Sequence, residues 1–385
     1  KTKNQAIKVM NMPVTVNFGL REELLKLVPT LGLCYQCGTC STYCPITDES
    51  YNIRLIVKKA QLGVVEPKDF KVIWDCVTCG TCQALCPNNV EIVNLVEIIR
   101  TMAMKSKVFP TKINEILWKI YENQNPWGYT VTDKRRFLAQ FSSLINNENP
   151  DVVIYPCCLS IGDPRVQKHI KALIRVLTKA GLKVGIYTGL SCCGDIIEHT
   201  GNKAFYEEYT AKLRDSIMSN IKAPVIVTLS PHCEYSLKKY LKGIKVIHYV
   251  ELLDELIRNG KLKIDKKADI TVTYHDPCYL SKHQRIIEEP RRVITSVPGV
   301  RLVEMIHSGE KSLCCGAGGG GIALETRVST DLSKRRLKEA IDTGASVVLT
   351  ACTYCFRMLE DANKVVKTNM KVMDLVEFLD SIMGD

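Results

Sequence analysis

The chain has 385 residues, 46% hydrophobic and 24% charged, and a mean hydropathy of −0.01, which excludes a disordered or fibrous class. Its net charge of +11 comes without a basic run interleaved with aromatic residues, so nucleic acid is not expected as a partner. No apolar run approaches the roughly 18 residues that cross a bilayer, and residues 1–10 lack the apolar core of a signal peptide. We therefore expect a cytoplasmic protein of two or three domains, associated with a membrane only through a partner subunit.

Eighteen cysteines are the unusual feature of this composition. In a reducing compartment, such a set is better explained by metal binding or catalysis than by disulfides. Metal groups held by several thiolates would carry net negative charge and would offset much of the excess of lysine and arginine. The basic balance is therefore weak evidence about partners.

Two cysteine runs of identical spacing stand in the first quarter of the chain. Residues 34–45 and 76–87 both follow the pattern C-x2-C-x2-C-x3-C-P. This run holds cubane [4Fe–4S] clusters, and in two-cluster ferredoxins its fourth cysteine binds the other cluster. The pattern predicts one cluster on Cys34, Cys37, Cys40 and Cys86, and a second on Cys76, Cys79, Cys82 and Cys44. Structural zinc sites use two separated C-x2-C pairs, so zinc is disfavoured here.

Apolar residues at helical spacing flank the second run. A helix from Ile53 to Gly63 is predicted, and another is predicted from Ile92, Leu95, Val96 and Ile99. We therefore expect residues 1–104 to form a mainly helical ferredoxin-like domain that transfers single electrons through two clusters. Residues 105–150 are expected to be a connector with a turn at 125–128. Its basic run, Lys134-Arg135-Arg136, is interpreted as a solvated face or as a docking patch for an acidic partner.

The rest of the chain contains an internal repeat. Cys157 matches Cys278 at an offset of 121 residues, and Cys192 and Cys233 match Cys314 and Cys355 at an offset of 122. In each half, β-branched runs alternate with amphipathic stretches. The first half has an apolar helical stripe over 166–177 and candidate strands at 152–155, 184–187, 225–229 and 246–249. The alternation predicts two duplicated α/β domains, residues 151–268 and 269–385, each with a parallel sheet. Their cysteines fall just past strand ends, where ligand sites form in open α/β sheets.

The second repeat should gather five cysteines into one site: Cys278, Cys314, Cys315, Cys352 and Cys355. Five thiolates exceed the needs of a plain cubane or a tetrahedral zinc, which favours an opened multi-iron cluster. The glycines at 316 and 318–321 do not fit a phosphate-binding loop. We interpret them as backbone that passes close to a bulky cluster and leaves access for a substrate.

Several polar residues near the second repeat's motifs are candidates for handling a substrate. Lys282, His283, Arg285 and Arg327 are interpreted either as cations for anionic substrate groups or as surface charges. His275 is interpreted as a hydrogen-bond or proton donor near the cluster, or as a structural histidine.

These motifs resemble a known family. The arrangement C-x35-C-C-x36-C-x2-C of the second repeat is that of the CCG cysteine-rich domain. This domain occurs in heterodisulfide reductases and in iron–sulfur subunits of glycolate, lactate and anaerobic glycerol-3-phosphate dehydrogenases. Two ferredoxin runs followed by two such domains are similar to the fused D subunit of heterodisulfide reductase. The segments HDPCYL from residue 275, CCGAGGG from 314 and ACTYC from 351 resemble the heterodisulfide branch more closely.

The resemblance implies a noncubane [4Fe–4S] cluster in each complete repeat. In the family these clusters reduce the mixed disulfide of coenzyme M and coenzyme B, and the second repeat matches every cysteine of the pattern, so its five cysteines are the implied catalytic ligands. The first repeat departs from the pattern, because Ser230 replaces one cysteine and Cys158 adds another. A second noncubane cluster, a zinc or no metal is therefore expected on its cysteines: Cys157, Cys158, Cys192, Cys193 and Cys233.

Three functions stay open on these grounds. The first is a disulfide-reducing role within a complex, in which two cubane clusters pass single electrons to the second repeat. Disulfides are ordinarily cleaved by thiolate attack from a redox-active C-x2-C pair, but here the C-x2-C pairs are expected to bind metal. The second is an electron-transfer role beside a flavoprotein dehydrogenase for a 2-hydroxy acid or glycerol 3-phosphate, passing electrons to a quinone or other carrier. The third, a zinc-stabilised scaffold, is disfavoured by the ferredoxin runs.

A partner is required under either of the first two functions. The chain shows no recognisable flavin or nicotinamide motif. We therefore expect a flavoprotein or a membrane cytochrome subunit as electron donor or acceptor, and a small-molecule disulfide or its thiols as substrate.

Overall fold

The computed structural model describes residues 16–48, 50–145 and 149–384. The polar segment 1–10, interpreted above as lacking a signal peptide, lies outside these residues. Within them, no helix is both long enough and apolar enough to cross a membrane. All eighteen cysteines are described, and they are free.

The N-terminal part of the chain is helical, as predicted. The predicted helix after the first run begins at Ile53, after an Asn52 cap, and ends at Leu62; the next residue, Gly63, caps it with a φ of 70° in the left-handed region. The helix after the second run buries the predicted apolar face. The helices are α1 (Phe18–Leu27), α2 (Thr39–Tyr43), α3 (Ile53–Leu62), α4 (Pro67–Val72), α5 (Thr81–Ala84) and α6 (Ile92–Lys105), with 3-10 helices at Pro29–Leu33 and Ile73–Asp75.

The predicted connector is also largely helical. Its helices are α7 (Lys112–Asn123), α8 (Val131–Ala139) and α9 (Ser142–Ile145). The buried Asn125 holds the predicted turn, because its Oδ1 accepts hydrogen bonds from the backbone N–H groups of Trp127 and Tyr129. The basic run lies on α8 with Arg135 and Arg136 exposed, which fits the solvated-face interpretation.

Each repeat folds as a four-stranded parallel sheet covered by helices, which confirms the predicted α/β class. The strand orders are β2-β1-β3-β4 and β6-β5-β7-β8, so the second sheet repeats the first. Helices cover both faces, and the strands accordingly read as continuous apolar runs. The strands are β1 (Val152–Tyr155), β2 (Val184–Ile186), β3 (Val225–Thr228), β4 (Lys245–His248), β5 (Ile270–His275), β6 (Val300–Leu302), β7 (Val347–Thr350) and β8 (Lys371–Asp374).

The helices of the two repeats follow the strands in the same alternation. In the first repeat they are α10 (Pro164–Lys179), α11 (Asp195–His199), α12 (Lys203–Asn220), α13 (Pro231–Tyr240) and α14 (Tyr249–Arg258), with a 3-10 helix at Cys158–Ile161. In the second they are α15 (Cys278–Ser281), α16 (Glu288–Thr295), α17 (Gly321–Leu324), α18 (Arg327–Asp342), α19 (Thr353–Val366) and α20 (Leu375–Met383), with a 3-10 helix at Gly309–Lys311.

The two repeats pack on each other through reciprocal pairs of helices. Helix α10, which follows the first strand of its repeat, packs against α20, while the corresponding α16 packs against α14. One hydrophobic cluster contains residues of both sheets. Polar contacts reinforce it: Tyr249 Oη donates to Asp374 Oδ1 at 2.7 Å, and Arg165 Nη1 reaches Asp361 Oδ1 at 2.7 Å. The repeats therefore form a single packed unit.

Two glycines of the second repeat contact the second ferredoxin loop directly. A Cβ on Gly318 would overlap the carbonyl oxygen of Val77, and one on Gly319 would lie 2.6 Å from the carbonyl oxygen of Cys76. At Gly318 and Gly319, close passage of the backbone of the second ferredoxin loop is a reason for the missing side chain that the sequence did not reveal. The interpretation of the five glycines as backbone that leaves access for a substrate stays a prediction.

Replacing Gly318 by alanine tests this contact. Gly318→Ala should lower the free energy of unfolding by about 1–3 kcal/mol, because the new methyl group would overlap the Val77 carbonyl oxygen, and a backbone atom cannot move aside as a flexible side chain can. Gly32→Ala is the control, since its Cβ would meet only Leu25 Cδ2 at 3.8 Å, and a change within about 0.5 kcal/mol is expected. Urea denaturation followed by circular dichroism measures both, and equal stability of the two variants would contradict the contact.

Candidate metal centres

The first four predicted ligands line one cavity in the helical domain. Cys34, Cys37 and Cys40 of the first run surround it together with Cys86 of the second. Cys37 is exposed. Hydrogen bonds from the Thr39 side chain and backbone lower the pKa of Cys37, which favours the thiolate that binds metal.

The other four predicted ligands line a second, apolar cavity. They are Cys44, Cys76, Cys79 and Cys82. Burial raises the pKa of Cys44 to about 12, so ionisation of this thiol requires a positive partner, such as a metal ion that it would bind directly. Four converging thiols and an apolar wall fit a cubane cluster. The crossed grouping of the two runs is the one that the spacing predicts, while the identity of the bound group stays a prediction.

The five cysteines of the second repeat converge in a buried site. Cys315 Sγ lies 3.2 Å from Cys355 Sγ, and the backbone N–H of Gly316 donates to Cys314 Sγ at 3.3 Å. None of the five is more than 3% exposed. They follow the ends of β5, β6 and β7, in agreement with the expectation that strand ends assemble the site.

His275 ends strand β5 beside these thiols. A ring nitrogen lies close enough that it, Cys315 Sγ and Cys355 Sγ are all within 4.8 Å of one another. Arg336 Nε donates to His275 Nδ1 at 2.8 Å, which places the ring proton on Nε2, and Nε2 has no hydrogen-bond partner among the described residues. Burial lowers the pKa of His275 well below its usual range, so the ring is neutral. A free N–H beside the thiols favours the hydrogen-bonding interpretation of this residue.

The cysteines of the first repeat form another buried group: Cys157, Cys158, Cys192, Cys193 and Cys233. They hydrogen-bond to one another, and contacts from Cys192 and Cys233 lower the pKa of Cys193 to about 5. Ser230, which replaces a cysteine of the pattern, is fully buried, and its hydroxyl has no hydrogen-bond partner in the described part of the chain. Five sulfur atoms that contact one another fit a metal group.

The two cysteine groups of the repeats contact each other through residues that sequence analysis did not single out. Tyr354 Oη lies 3.8 Å from Cys158 Sγ, and His232 hydrogen-bonds the Cys352 thiol. The two rings also touch, with centroids 5.1 Å apart. Positions 232 and 354 differ by the repeat offset of 122, so each repeat contributes the residue before its last cysteine to the other's site. The repeat alignment was the signal that could have revealed this pair.

A buried acid–histidine network extends from His232 towards the helical domain. Asp195 Oδ2 lies 3.1 Å from His232 Nδ1, and Asp195 Oδ1 lies 3.4 Å from His199 Nε2. Glu97 Oε1, on α6, lies 3.1 Å from His199 Nδ1. Burial alone would lower the pKa of His199, but Asp195 and Glu97 outweigh it and raise this pKa to about 9. His199 is therefore protonated at neutral pH and joins two carboxylates of different domains.

A buried arginine joins the helical domain to both repeats. Arg100 is fully buried and donates to the carbonyl oxygens of Ile73, Cys76, His199 and Gly319 at 2.5 to 3.2 Å. Its guanidinium also lies 5.0 Å from the ring centroid of Trp74. The second ferredoxin loop is thereby held against both repeats.

Two of the four candidate substrate cations face the ferredoxin loop instead of an open site. Lys282 Nζ donates to Thr81 Oγ1 at 2.7 Å and to Ser312 O at 2.5 Å, and His283 Nε2 lies 3.0 Å from Thr78 O. Arg285 and Arg327 are exposed, as expected of surface charges, and Arg327 lies 3.5 Å from Asp331. For Lys282, which is buried, the surface-charge interpretation is wrong.

Comparison with known families agrees with this arrangement. The 4Fe-4S dicluster domain matches residues 30–90, and the CCG cysteine-rich domain matches residues 135–238 and 272–360. The second of these matches contains all five cysteines of the second repeat. The first contains the corresponding cysteines of the other repeat.

Three curated proteins illustrate the range of similar sequences. The EtfAB:quinone oxidoreductase of Syntrophomonas wolfei is 29% identical over 80% of this chain and 46% of its own length, so the chain spans less than half of that protein. The D subunit of the dihydromethanophenazine:CoB–CoM heterodisulfide reductase of Methanosarcina acetivorans is 28% identical over 92% of this chain and 94% of its own length. The B subunit of the CoM/CoB fumarate reductase of Methanothermobacter marburgensis is 28% identical over 91% and 72%, respectively.

Serine substitutions test the crossed grouping of the ferredoxin cysteines. Cys86→Ser should disturb the same cluster as Cys37→Ser, and Cys44→Ser should disturb the same cluster as Cys79→Ser, because each pair lines one cavity. Electron paramagnetic resonance of the reduced protein resolves the affected signal, and iron analysis confirms the loss. If Cys86→Ser and Cys79→Ser alter the same signal, the grouping is wrong.

The charge of His199 predicts a pH dependence of stability. A folded-state pKa of about 9, above the ordinary 6.5, contributes stability that is complete below pH 6.5 and is lost as pH rises through 9. As pH rises from 6 to 9.5, we expect His199→Gln to lose about 3 kcal/mol less stability than the wild type, because it lacks this contribution. Urea denaturation at pH 6 and pH 9.5 measures it.

His248→Gln serves as the control for this pH dependence. Burial lowers the pKa of His248 to about 4, so this histidine is neutral in the folded protein at both pH values. Only its protonation in the unfolded chain near pH 6.5 enters the slope, and it raises stability with pH by at most about 1 kcal/mol. The control variant should therefore lose at least as much stability as the wild type between pH 6 and 9.5, and a slope unchanged in His199→Gln would contradict the assignment.

Proposed function

This chain belongs to the CCG cysteine-rich domain family of iron–sulfur oxidoreductase subunits, and we propose that it reduces a small-molecule disulfide at its second repeat. The observation that carries the proposal is the sequence in which the thiol groups contact one another in space. Cys79 of the second ferredoxin cavity packs in one cluster with Cys278 and Cys314 of the second repeat. The other three thiols of the second repeat, Cys315, Cys352 and Cys355, in turn share a cluster with those of the first repeat.

This order supports a path for electrons into the second repeat. The cavity around the exposed Cys37 is the accessible end of the series. The cavity around Cys79 is the next, and the five-thiol site of the second repeat follows it. When bound, iron–sulfur clusters at these sites supply electrons one at a time. We propose a flavoprotein or a membrane cytochrome subunit as the partner that delivers these electrons.

Reduction of the disulfide requires two electrons and two protons. The S–S bond breaks, one electron and one proton go to each sulfur, and two thiols leave. The chain's own contribution is to hold five thiols in a site nearly closed to water and to offer the neutral Nε2–H of His275 beside them. Likeness over 94% of the D subunit of a heterodisulfide reductase supports a mixed disulfide such as that of coenzyme M and coenzyme B as substrate.

A second candidate function is an electron-transfer protein without its own substrate. It is favoured by the burial of all five second-repeat thiols, since a relay needs no opening to a small molecule. Likeness to an EtfAB:quinone oxidoreductase supports the same alternative. In this role a flavoprotein dehydrogenase would supply the electrons, and a quinone or other carrier would receive them.

A disulfide-reduction assay separates the two functions. Protein purified without oxygen and supplied with reduced methyl viologen should convert the coenzyme M–coenzyme B disulfide to two thiols, with two viologens oxidised per disulfide. Cys315→Ser should lower this rate by more than about 100-fold, because it removes a thiol at the centre of the site. Its two cubane signals should persist, since Cys315 lines neither ferredoxin cavity.

The control substitution lies outside all the thiol groups. Cys315→Ser is compared with Ser346→Ala, an exposed residue before strand β7 that should leave the rate unchanged. Absence of disulfide turnover in a protein with its full iron content, together with rapid reduction by a flavoprotein, would favour the relay. Zinc with little iron would contradict both functions.

A further inference from the structure

Lys282 is a buried cation without an anionic side chain beside it. Its side chain enters the contact between the second repeat and the helical domain, where only 7% of the residue is exposed. The ammonium donates to the Thr81 hydroxyl at 2.7 Å and to the carbonyl oxygen of Ser312 at 2.5 Å. Within the described ranges it forms no ion pair with a carboxylate.

Thiols of two different candidate centres flank this ammonium. Thr81 Oγ1, which accepts its hydrogen bond, lies 3.3 Å from Cys79 Sγ in the second ferredoxin cavity. On the side of the repeat, the charge acts electrostatically on the Cys278 and Cys314 thiols. Cys79, Cys278 and Cys314 belong to one packed cluster. Lys282 thus stands where the two sites meet.

Electrostatics explains why a lysine is tolerated there. An isolated buried ammonium is costly unless negative charge lies near it. Four thiolates give an iron–sulfur cluster a net negative charge, and one-electron reduction adds another. The attraction of an ammonium to two such groups therefore offsets the free-energy cost of burying it, and its positive charge stabilises the extra electron on either group.

We propose that Lys282 is a positioning residue that acts as the shared counter-cation of two iron–sulfur clusters. One is held by Cys44, Cys76, Cys79 and Cys82, and the other by the five cysteines of the second repeat. The inference rests on the cluster assignments of the proposed function. Because the ammonium lies between the clusters, an electron that passes from one to the other stays close to the same positive charge.

Lys112 offers a contrast within the same protein. It also joins the N-terminal part of the chain to the second repeat, through Glu325 at 2.8 Å. Its side chain, however, is 39% exposed and is paired with a carboxylate. An exposed, neutralised lysine has little effect on a buried redox centre, since solvent screens it. Lys112→Met is therefore the matched control for Lys282→Met.

Redox titration followed by electron paramagnetic resonance tests the proposal directly. In Lys282→Met, reduction of the second ferredoxin cluster should become at least tenfold less favourable, which is about 59 mV for one electron. The second-repeat cluster should shift in the same direction. The Cys34 cluster, and every signal of Lys112→Met, should keep the wild-type potential. Lys282→Arg should stay close to the wild-type potentials, because it keeps the charge.

The outcomes separate a charge effect from a structural one. Unchanged potentials in Lys282→Met with full iron content would overturn the proposal. If Lys282→Met loses iron while Lys282→Arg retains it, the requirement for positive charge is supported. If both variants lose iron, or if Lys282→Arg shifts as much as Lys282→Met, the side chain acts by shape and the proposal is wrong.

These measurements do not depend on disulfide turnover. A wild-type protein that carries its clusters but reduces no disulfide would contradict the proposed function and leave the test of Lys282 intact. Conversely, disulfide reduction with unaltered potentials in Lys282→Met would overturn only the role of the lysine.

Discussion

A single buried guanidinium holds together the three parts of this protein. Arg100 comes from the helical domain, and its donors reach carbonyl oxygens of the second ferredoxin loop, the first repeat and the second repeat. Breaking such contacts would leave a buried charge unsatisfied, which is far more costly than the net gain from making them. The relative position of the candidate centres therefore depends on this side chain together with the Lys282–Thr81, His283–Thr78 and Glu97–His199 contacts between the same parts.

Close approach of backbones is the second consequence of this arrangement. Gly318 and Gly319 let the ferredoxin loop rest on the second repeat without intervening side chains. The side chain of Lys282 then bridges the remaining space to Thr81. Electron transfer between two centres benefits from a short, rigid separation, and both features reduce the separation between the thiol groups. The same glycines would look like a flexible loop if the repeat were considered alone.

The two repeats share a fold but have diverged in chemistry. The second keeps every cysteine of the family pattern, while the first has Ser230 at one of these positions. Their sites remain connected, because His232 contacts Cys352 and Tyr354 approaches Cys158. Asp195 then links His232 to His199 and the helical domain. The first repeat thus contributes a hydrogen-bonding residue, His232, to the site of the second, whatever group its own thiols hold.

The sequence by itself determined the local features of this protein. The crossed grouping of the ferredoxin cysteines, the two parallel sheets and the placement of cysteines at strand ends all follow from spacing and periodicity, which act over a few residues or one repeat. The burial of Lys282, the role of Gly318 and the His232–Cys352 contact did not follow. Lys282 and Thr81 are 201 positions apart, and their contact exists only after separate domains dock. Docking depends on the shapes of folded surfaces, which no short-range pattern in the chain encodes.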